Sequence, residues 1–281
     1  MIFSEDQLDE LRKFECLDFQ STVSFKDGCI DDFIKSKYWP VAVQEDMIVR
    51  TSQQIKHRST VIVKAYIDNI FNKNFLDFGC GTAHTAIEAS RSCKLSVGYD
   101  PVRHQYWTSQ EAKASNNCML FNDFDEVKKN GPYDFILLYD VLDHILPSDI
   151  PAAIDNIISV CDSNTIIKCR CHPWTSIHGG HLYEKLNKAY AHLLLSEEQI
   201  IEHQTIGTTR IMKPIVTYRK LLSKLNVVSV DPVSIRMSDE VKSILSDNNI
   251  INRIKMVTGG DAEWQSSVLP YEYVDYVLRI Q

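Results

Sequence analysis

What this chain lacks narrows its class before any motif is read. No apolar run approaches the roughly eighteen residues that a membrane span needs, so neither a transmembrane helix nor a membrane partner is expected. The opening Met1-Ile2-Phe3-Ser4-Glu5-Asp6 is acidic and carries no basic stretch, so a signal peptide is not expected either. Positive charge is in deficit, with 30 Lys and Arg against 37 Asp and Glu. A net charge of −7 argues against a protein that coats nucleic acid, though it leaves room for a local basic groove. Cysteine is too sparse for a disulfide scaffold: eight residues (Cys16, Cys29, Cys80, Cys93, Cys118, Cys161, Cys169, Cys171) are spread over 281. Free thiols and a reducing, cytoplasmic setting fit that usage. There is no internal repeat, low-complexity tract or long flexible linker. The remainder, 44% hydrophobic and 24% charged, is the composition of a soluble globular protein with one large or two small domains.

The stretch that organises the chain is Phe75-Leu76-Asp77-Phe78-Gly79-Cys80-Gly81-Thr82-Ala83. An apolar run with one acid breaks into two closely spaced glycines, and a helix-compatible segment (Thr85 to Ser92) follows. The pattern predicts a buried strand, a tight turn and a helix N-terminus. Glycine suits such a turn when a ligand must approach the backbone closely. A second strand, Leu95 to Tyr99, ends in Asp100, where an acid can hold a nucleotide's ribose hydroxyls. A plain strand-to-helix turn could also contain Gly-x-Gly, so the pairing with Asp100 carries more weight than the glycines alone.

Leu76-Asp77-Phe78-Gly79-Cys80-Gly81, followed by Gly98-Tyr99-Asp100, resembles the first two motifs of class I S-adenosylmethionine (SAM)-dependent methyltransferases. A dinucleotide-binding fold is the competitor, but it wants Gly-x-Gly-x-x-Gly, and here Ala83 and His84 follow with no third glycine. The resemblance implies an α/β, Rossmann-like fold. Its seven-stranded, mostly parallel sheet has helices on both faces and the last strand antiparallel. That domain is placed at 57–281, behind an N-terminal helical extension or lid at 1–56, with an acceptor-side loop and helical insertion at 172–224. The implied cofactor is SAM. Asp77, Gly79, Cys80 and Gly81 would form the turn under its methionine end, and Asp100 with Pro101 would lie at the ribose. Asn122 or Asp123 would lie near the adenine, and Tyr139 and Asp140 closest to the transferable methyl.

Other segments are read from pattern. Ser4 to Arg12 reads as a short helix, Asp27-Gly28 as a turn, and Tyr38-Trp39-Pro40 as either a packed plug or a lid. Helical spacing covers Ser59 to Phe71 and Leu182 to Leu195. Pro147 opens a helix through Ile158, Ser196-Glu197-Glu198-Gln199 caps another, and Arg210 to Leu225 reads as basic and helical. Further strands are expected at Cys118–Phe121, from Tyr133 through Tyr139, at Thr165–Cys169, Val227–Val230 and Tyr273–Ile280. Asn122-Asp123 is equally good turn chemistry. Cys169, Cys171, His172, His178 and His181 share one loop region, yet their spacing matches no standard zinc site, and no metal is expected.

Methyl transfer requires alignment of acceptor and methyl, with a base only where a proton must leave early. The resemblance therefore leaves the acceptor open. One reading is an O or N acceptor on a small molecule or protein side chain, met by Tyr139, Asp140, Lys168, His172 and Trp174. His144, one turn beyond Asp140, is a lesser candidate. A second reading is RNA ribose 2′-O-methylation through a Lys64-Asp140-Lys168-Glu272 set. A third is a non-catalytic SAM-binding partner subunit, which would need no acceptor pocket. The acidic balance favours the first.

Overall fold

The computed structural model describes residues 18–19, 23–24, 39–44, 50–67, 69–109, 116–145, 148–172, 176–195, 200, 202–203, 224–234, 239 and 271–280. In chain order the elements are β1 (Asp18–Phe19), β2 (Val23–Ser24), α1 (Ser52–Tyr66), β3 (Asn74–Phe78), α2 (His84–Ala89), β4 (Leu95–Tyr99) and β5 (Cys118–Phe121). They continue with α3 (Phe124–Lys128), β6 (Phe135–Tyr139), α4 (Ile150–Ser159), β7 (Ile166–Cys171), α5 (Ala191–Leu194), β8 (Leu225–Ser234) and β9 (Tyr271–Ile280). Short 3-10 turns occupy Gln105–Thr108 and Leu142–His144. Among the described residues no helix is long and apolar enough to cross a membrane.

Seven strands form one sheet in the order β5-β4-β3-β6-β7-β9-β8. β3 pairs in parallel with β4 on one side and β6 on the other, β4 with β5, and β6 with β7. β9 joins β7 antiparallel, with Arg170 opposite Asp275. This is the Rossmann-like arrangement expected from the motifs. β3 is an apolar run because both of its faces are covered, and Phe75 and Leu76 have no exposed surface. On one face Ile62 of α1, with Val63 and Tyr66, packs against Phe75, Phe135 and Leu137.

α1 begins seven residues earlier than the apolar spacing suggests. Thr51 and Gln54 form a reciprocal capping box: the Thr51 N–H donates to Gln54 Oε1 at 2.8 Å, and the Gln54 N–H donates to Thr51 Oγ1 at 3.3 Å. It ends at Tyr66 rather than Phe71, since Asn69 and Asn72 take left-handed backbone. α4 starts at Ile150, after Asp149, with Pro151 in its first turn.

Two compact units divide the chain. The sheet unit holds 49–171, 216–231 and 274–281; the second holds 1–48, 172–215 and 232–273. Within the second unit Trp39 is 5% exposed, and its Nε1–H donates to the Ala189 carbonyl at 2.8 Å. The Ala189 N–H donates back to the Pro40 carbonyl, and Asn187 accepts from the Ala42 and Val43 N–H groups. Trp39 and Pro40 are thus packed against the 187–189 segment of their own unit. The helix expected over Leu182–Leu195 is corrected: only Ala191–Leu194 is helical, because His181 and Tyr190 both take left-handed backbone. Leu182, Leu186 and Leu193 are buried, so their spacing reflects packing of a turn-rich segment. The expectations for Ser4–Arg12, Asp27-Gly28, Ser196–Gln199 and 210–223 lie outside the described residues.

Candidate functional site

In this strand order the connections run outward from β3 to β4 and β5 on one side, and to β6 and β7 on the other. The reversal leaves a crevice at the carboxyl ends of β3 and β6, where open α/β sheets bind ligands. The turn leaving β3 lies there. Gly79 has φ +76°, and its N–H and that of Cys80 both donate to the Tyr99 carbonyl, at 2.7 and 2.9 Å. A Cβ at Gly79 would meet both methyls of Val141 at 2.6 Å, so backbone shape and space together require glycine. Gly81 (φ +51°) differs: a Cβ there would find nothing within 4 Å. Its bare face is open, and its N–H donates to Asp100 Oδ2 at 2.9 Å. Ala83, where the family often has a third glycine, itself holds φ +66° while fully buried. A non-glycine residue in that region costs roughly 1–2 kcal/mol.

Asp77 is buried near the end of β3 at 4% exposure, and its Oδ2 has no hydrogen-bond partner among the described residues. Burial drives its carboxyl from 3.8 up to about 7, with Asp100 adding to the rise, while the Ala86 N–H and the Arg58 guanidinium pull the other way. Cys80 sits in the same turn, and burial first, then Asp77 and Asp100, hold its thiol well above the usual range. It is a filler of the turn and not a nucleophile. Asp100 Oδ1 accepts from the Val102 N–H at 2.9 Å and thereby brackets Pro101 in a tight turn. Nearby, Trp107 Nε1–H donates to the Gly81 carbonyl at 2.8 Å, and His84 stacks on Tyr106 at 4.0 Å.

At the end of β6, Asp140 holds φ +56°, its N–H donating to the Arg170 carbonyl at 3.0 Å. Arg58, from α1, bonds Asp140 Oδ2 through Nη2 at 2.7 Å. Tyr139 meets two guanidinium groups, Arg58 at 4.8 Å and Arg170 at 5.2 Å from its ring centre, and Tyr66 edge-on at 5.3 Å. Arg170, 8% exposed, is gripped bidentately by Asp275 at 2.8 and 2.9 Å, and also donates to Tyr139 Oη. Tyr66 Oη donates to the same Asp275. Arg58, Tyr66, Arg170 and Asp275 were not singled out in the sequence. Their carboxylate or hydroxyl partners across the Asp140 and Asp275 bonds lie 82 to 209 residues away, and no local pattern marks them.

The remaining expected residues are placed as follows. Lys168 sits mid-strand opposite Leu137, with Nζ 5.7 Å from the Phe135 ring at the start of β6. It therefore points back along the sheet, and Arg170 supplies the cation at the carboxyl edge. Lys64 is exposed in the last turn of α1; six residues past Arg58, it is turned about 120° around the helix. Glu272 lies in β9 and its side chain is outside the described residues, as is Trp174. Asn122 is exposed, and Asp123 caps α3 by accepting from the Asp125 N–H at 3.0 Å, so turn chemistry occupies that carboxylate. Asp143 is buried, and His144 beside it is largely exposed at 3.7 Å from its carboxylate. Cys169 and Cys171 are buried free thiols in β7. In the second unit His172, the first residue beyond β7, meets His178 edge to face at 4.6 Å, and His178 lies parallel to His181 at 6.1 Å. Burial, then His172, His181 and His192, hold His178 well below the usual imidazole range, so it is neutral. These imidazoles pack as an aromatic surface.

Comparison with known proteins agrees with this geometry. Residues 55–198 match a family model described as a methyltransferase domain. A carboxy-S-adenosyl-L-methionine synthase 1 from Yersinia pseudotuberculosis is 29% identical over 135 residues, covering 44% of this chain and 56% of that protein. The chain thus spans just over half the length of this curated relative. Among solved structures, coclaurine N-methyltransferase superposes with a TM-score of 0.51 at 10% identity, over 99% of this chain and 89% of the other. A cyclopropane-fatty-acyl-phospholipid synthase-like protein from Lactobacillus casei gives 0.47 at 14% identity, over 89% and 98%. With the model covering half the chain, and the glycine turn, Asp100 and strand order all in place, the chain belongs to the methyltransferase domain family of class I SAM-dependent enzymes.

Proposed function

We propose that this chain is a SAM-dependent methyltransferase acting on an oxygen or nitrogen of a small molecule or protein side chain. The observation that carries the cofactor assignment is the pairing of an open Gly81 with Asp100, beside a buried Asp77 oxygen that has no partner among the described residues. Such a cradle fits a nucleoside bearing a cationic amino-acid tail: bare backbone, an acid at the tip of β4, and a carboxyl awaiting a donor. Asp77, Gly79, Cys80, Gly81 and Asp100 would hold SAM, with Tyr139 and Asp140 next along the sheet. When bound, SAM supplies a methyl carbon already activated by its sulfonium. The chain's own part is to fix that carbon against an acceptor and keep water out.

The ribose reading needs an activated lysine next to Asp140. Lys168 lies over Phe135, Lys64 is exposed, and Asp140 is already paired with Arg58, which together support the small-molecule or side-chain reading over RNA. The RNA-cap acceptor remains the competing outcome of the assay. Calorimetry with S-adenosylhomocysteine tests the cofactor assignment; tritium transfer from labelled SAM to a small-molecule extract, a protein extract, capped RNA and uncapped RNA tests the acceptor. Absence of binding would overturn the first, and label confined to RNA the second.

A further inference from the structure

The Arg58–Asp140 pair does little for the fold, and that points to another task. Arg58 reaches from α1 to the end of β6, rests on the Tyr139 ring and uses one of its five N–H donors, at 2.7 Å, on Asp140. Among the described residues no other hydrogen bond is made by this guanidinium, and the side chain is 39% exposed. Arg170, on the other side of the same tyrosine, contrasts with it: buried, held bidentately by Asp275 and tied to Tyr139 Oη. Bidentate pairs are the strong, geometrically fixed ones, so Arg170 is the structural cation and Arg58 the exchangeable one. A partly exposed, single-bond pair contributes little to stability.

Its support is nonetheless well built. The capping box and the packing of Ile62 and Tyr66 fix α1, and the guanidinium carbon rests 4.8 Å from the centre of the Tyr139 ring. Asp140 carries a left-handed backbone angle, the kind of local strain that surrounding structure maintains at functional sites. The guanidinium also acts on Asp77 of the glycine turn, so its anchoring strand is what points toward the acceptor's side. Asp100 and the glycine turn take the ends of β4 and β3, whereas the Arg58–Asp140 pair stands on β6, one strand further toward β7.

We propose that Arg58 reads a carboxylate on the methyl acceptor, so that the acceptors belong to carboxylate-bearing small molecules. The inference rests on the transferase reading above. An Arg fork matches a carboxylate in plane and by two parallel donors, which a neutral amide of the same shape cannot reproduce. Selection then arises because the amide leaves the fork unpaired rather than because the carboxylate packs better.

The test is calorimetry on wild type, Arg58→Gln and Arg58→Lys, after thermal melting shows that all three fold. Each is titrated with S-adenosylhomocysteine and with 5′-methylthioadenosine, which lacks the amino-acid carboxylate. The homocysteine complex is then titrated with benzoate and succinate alongside benzamide and succinamide. The expected result is a preference for a carboxylate over its amide of roughly tenfold or more in wild type, lost in Arg58→Gln and reduced in Arg58→Lys. S-adenosylhomocysteine and methylthioadenosine should keep the same affinity ratio in all three proteins. Arg58→Gln weakening S-adenosylhomocysteine but not methylthioadenosine would overturn the proposal, by assigning Arg58 to the cofactor's own carboxylate. No carboxylate preference in wild type would overturn it as well. A wild-type protein that binds neither nucleoside would instead overturn the transferase reading on which it stands.

Discussion

The Gly81 N–H donates to the Asp100 carboxylate, so the acid at the tip of β4 holds the very turn that leaves β3. Its second oxygen takes the Val102 N–H. Asp100→Ala therefore releases two backbone donors as well as a ligand contact. SAM affinity should fall by about 1.5–3 kcal/mol in calorimetry, the scale of a lost hydrogen bond to a charged group. Unchanged affinity in a folded Asp100→Ala protein would sink the assignment.

Asp77 gives the site a pH signature. In the unfolded chain its carboxyl titrates near 3.8, and in the folded chain near 7. Between those values the folded state binds the extra proton, so Asp77 lowers stability progressively as pH rises through the window. At about 1.4 kcal/mol per pH unit the accumulated cost by pH 8 is about 4 kcal/mol at most. Asp77→Asn should raise the ligand-free melting temperature at pH 8, leave it nearly unchanged at pH 4, and weaken SAM binding at both. Melting curves with the same pH slope in the two proteins would contradict this.

Gly79→Ala should destabilise through two separable causes. The left-handed angle costs roughly 1–2 kcal/mol for any side chain, and the new methyl would sit 2.6 Å from Val141. Adding Val141→Ala removes the collision but not the angle. Urea unfolding should show the double mutant more stable than the sum of the singles; strict additivity would mean that Val141 yields freely.

Breaking the Arg170–Asp275 pair should cost more than removing it. Asp275→Ala leaves a buried guanidinium uncompensated, worth about 3 kcal/mol. Arg170→Met with Asp275→Ala should recover much of that loss in urea titrations. A double mutant less stable than Asp275→Ala alone would show that Arg170 contributes by packing instead.

Lys168 separates the two acceptor readings. With Nζ over Phe135, Lys168→Ala should leave kcat within about threefold, an effect under roughly 1 kcal/mol. Abolished turnover in Lys168→Ala with SAM binding intact would restore the ribose reading.

How much could be read in advance follows from the distance along the chain over which each feature is written. The glycine turn, Asp100 and the alternation of β9 are local patterns, and the structure has them where the residues imply. Arg58 and Arg170 were invisible because their meaning comes from Asp140 and Asp275, brought near only by the completed sheet. The position of the Lys168 side chain is hidden for a different reason. Its strand was identified, but a side chain's lean along the strand is not written in the alternation. The helix expected at Leu182–Leu195 failed because buried apolar spacing looks alike in a helix and in a packed run of turns, and His181 and Tyr190 reveal their left-handed angles only in three dimensions.

β9 lies between β7 and β8, although β8 precedes it by some forty residues of chain. During synthesis β7 consequently waits with an open edge, since its partner for Ile167 is Leu278, more than a hundred residues later. Such a sheet closes late and all at once, and until it does the nascent chain presents an unpaired hydrophobic strand to its neighbours. The order in which the strands are made thus fixes how long this edge stays uncovered, a quantity that the stability of the finished sheet does not report.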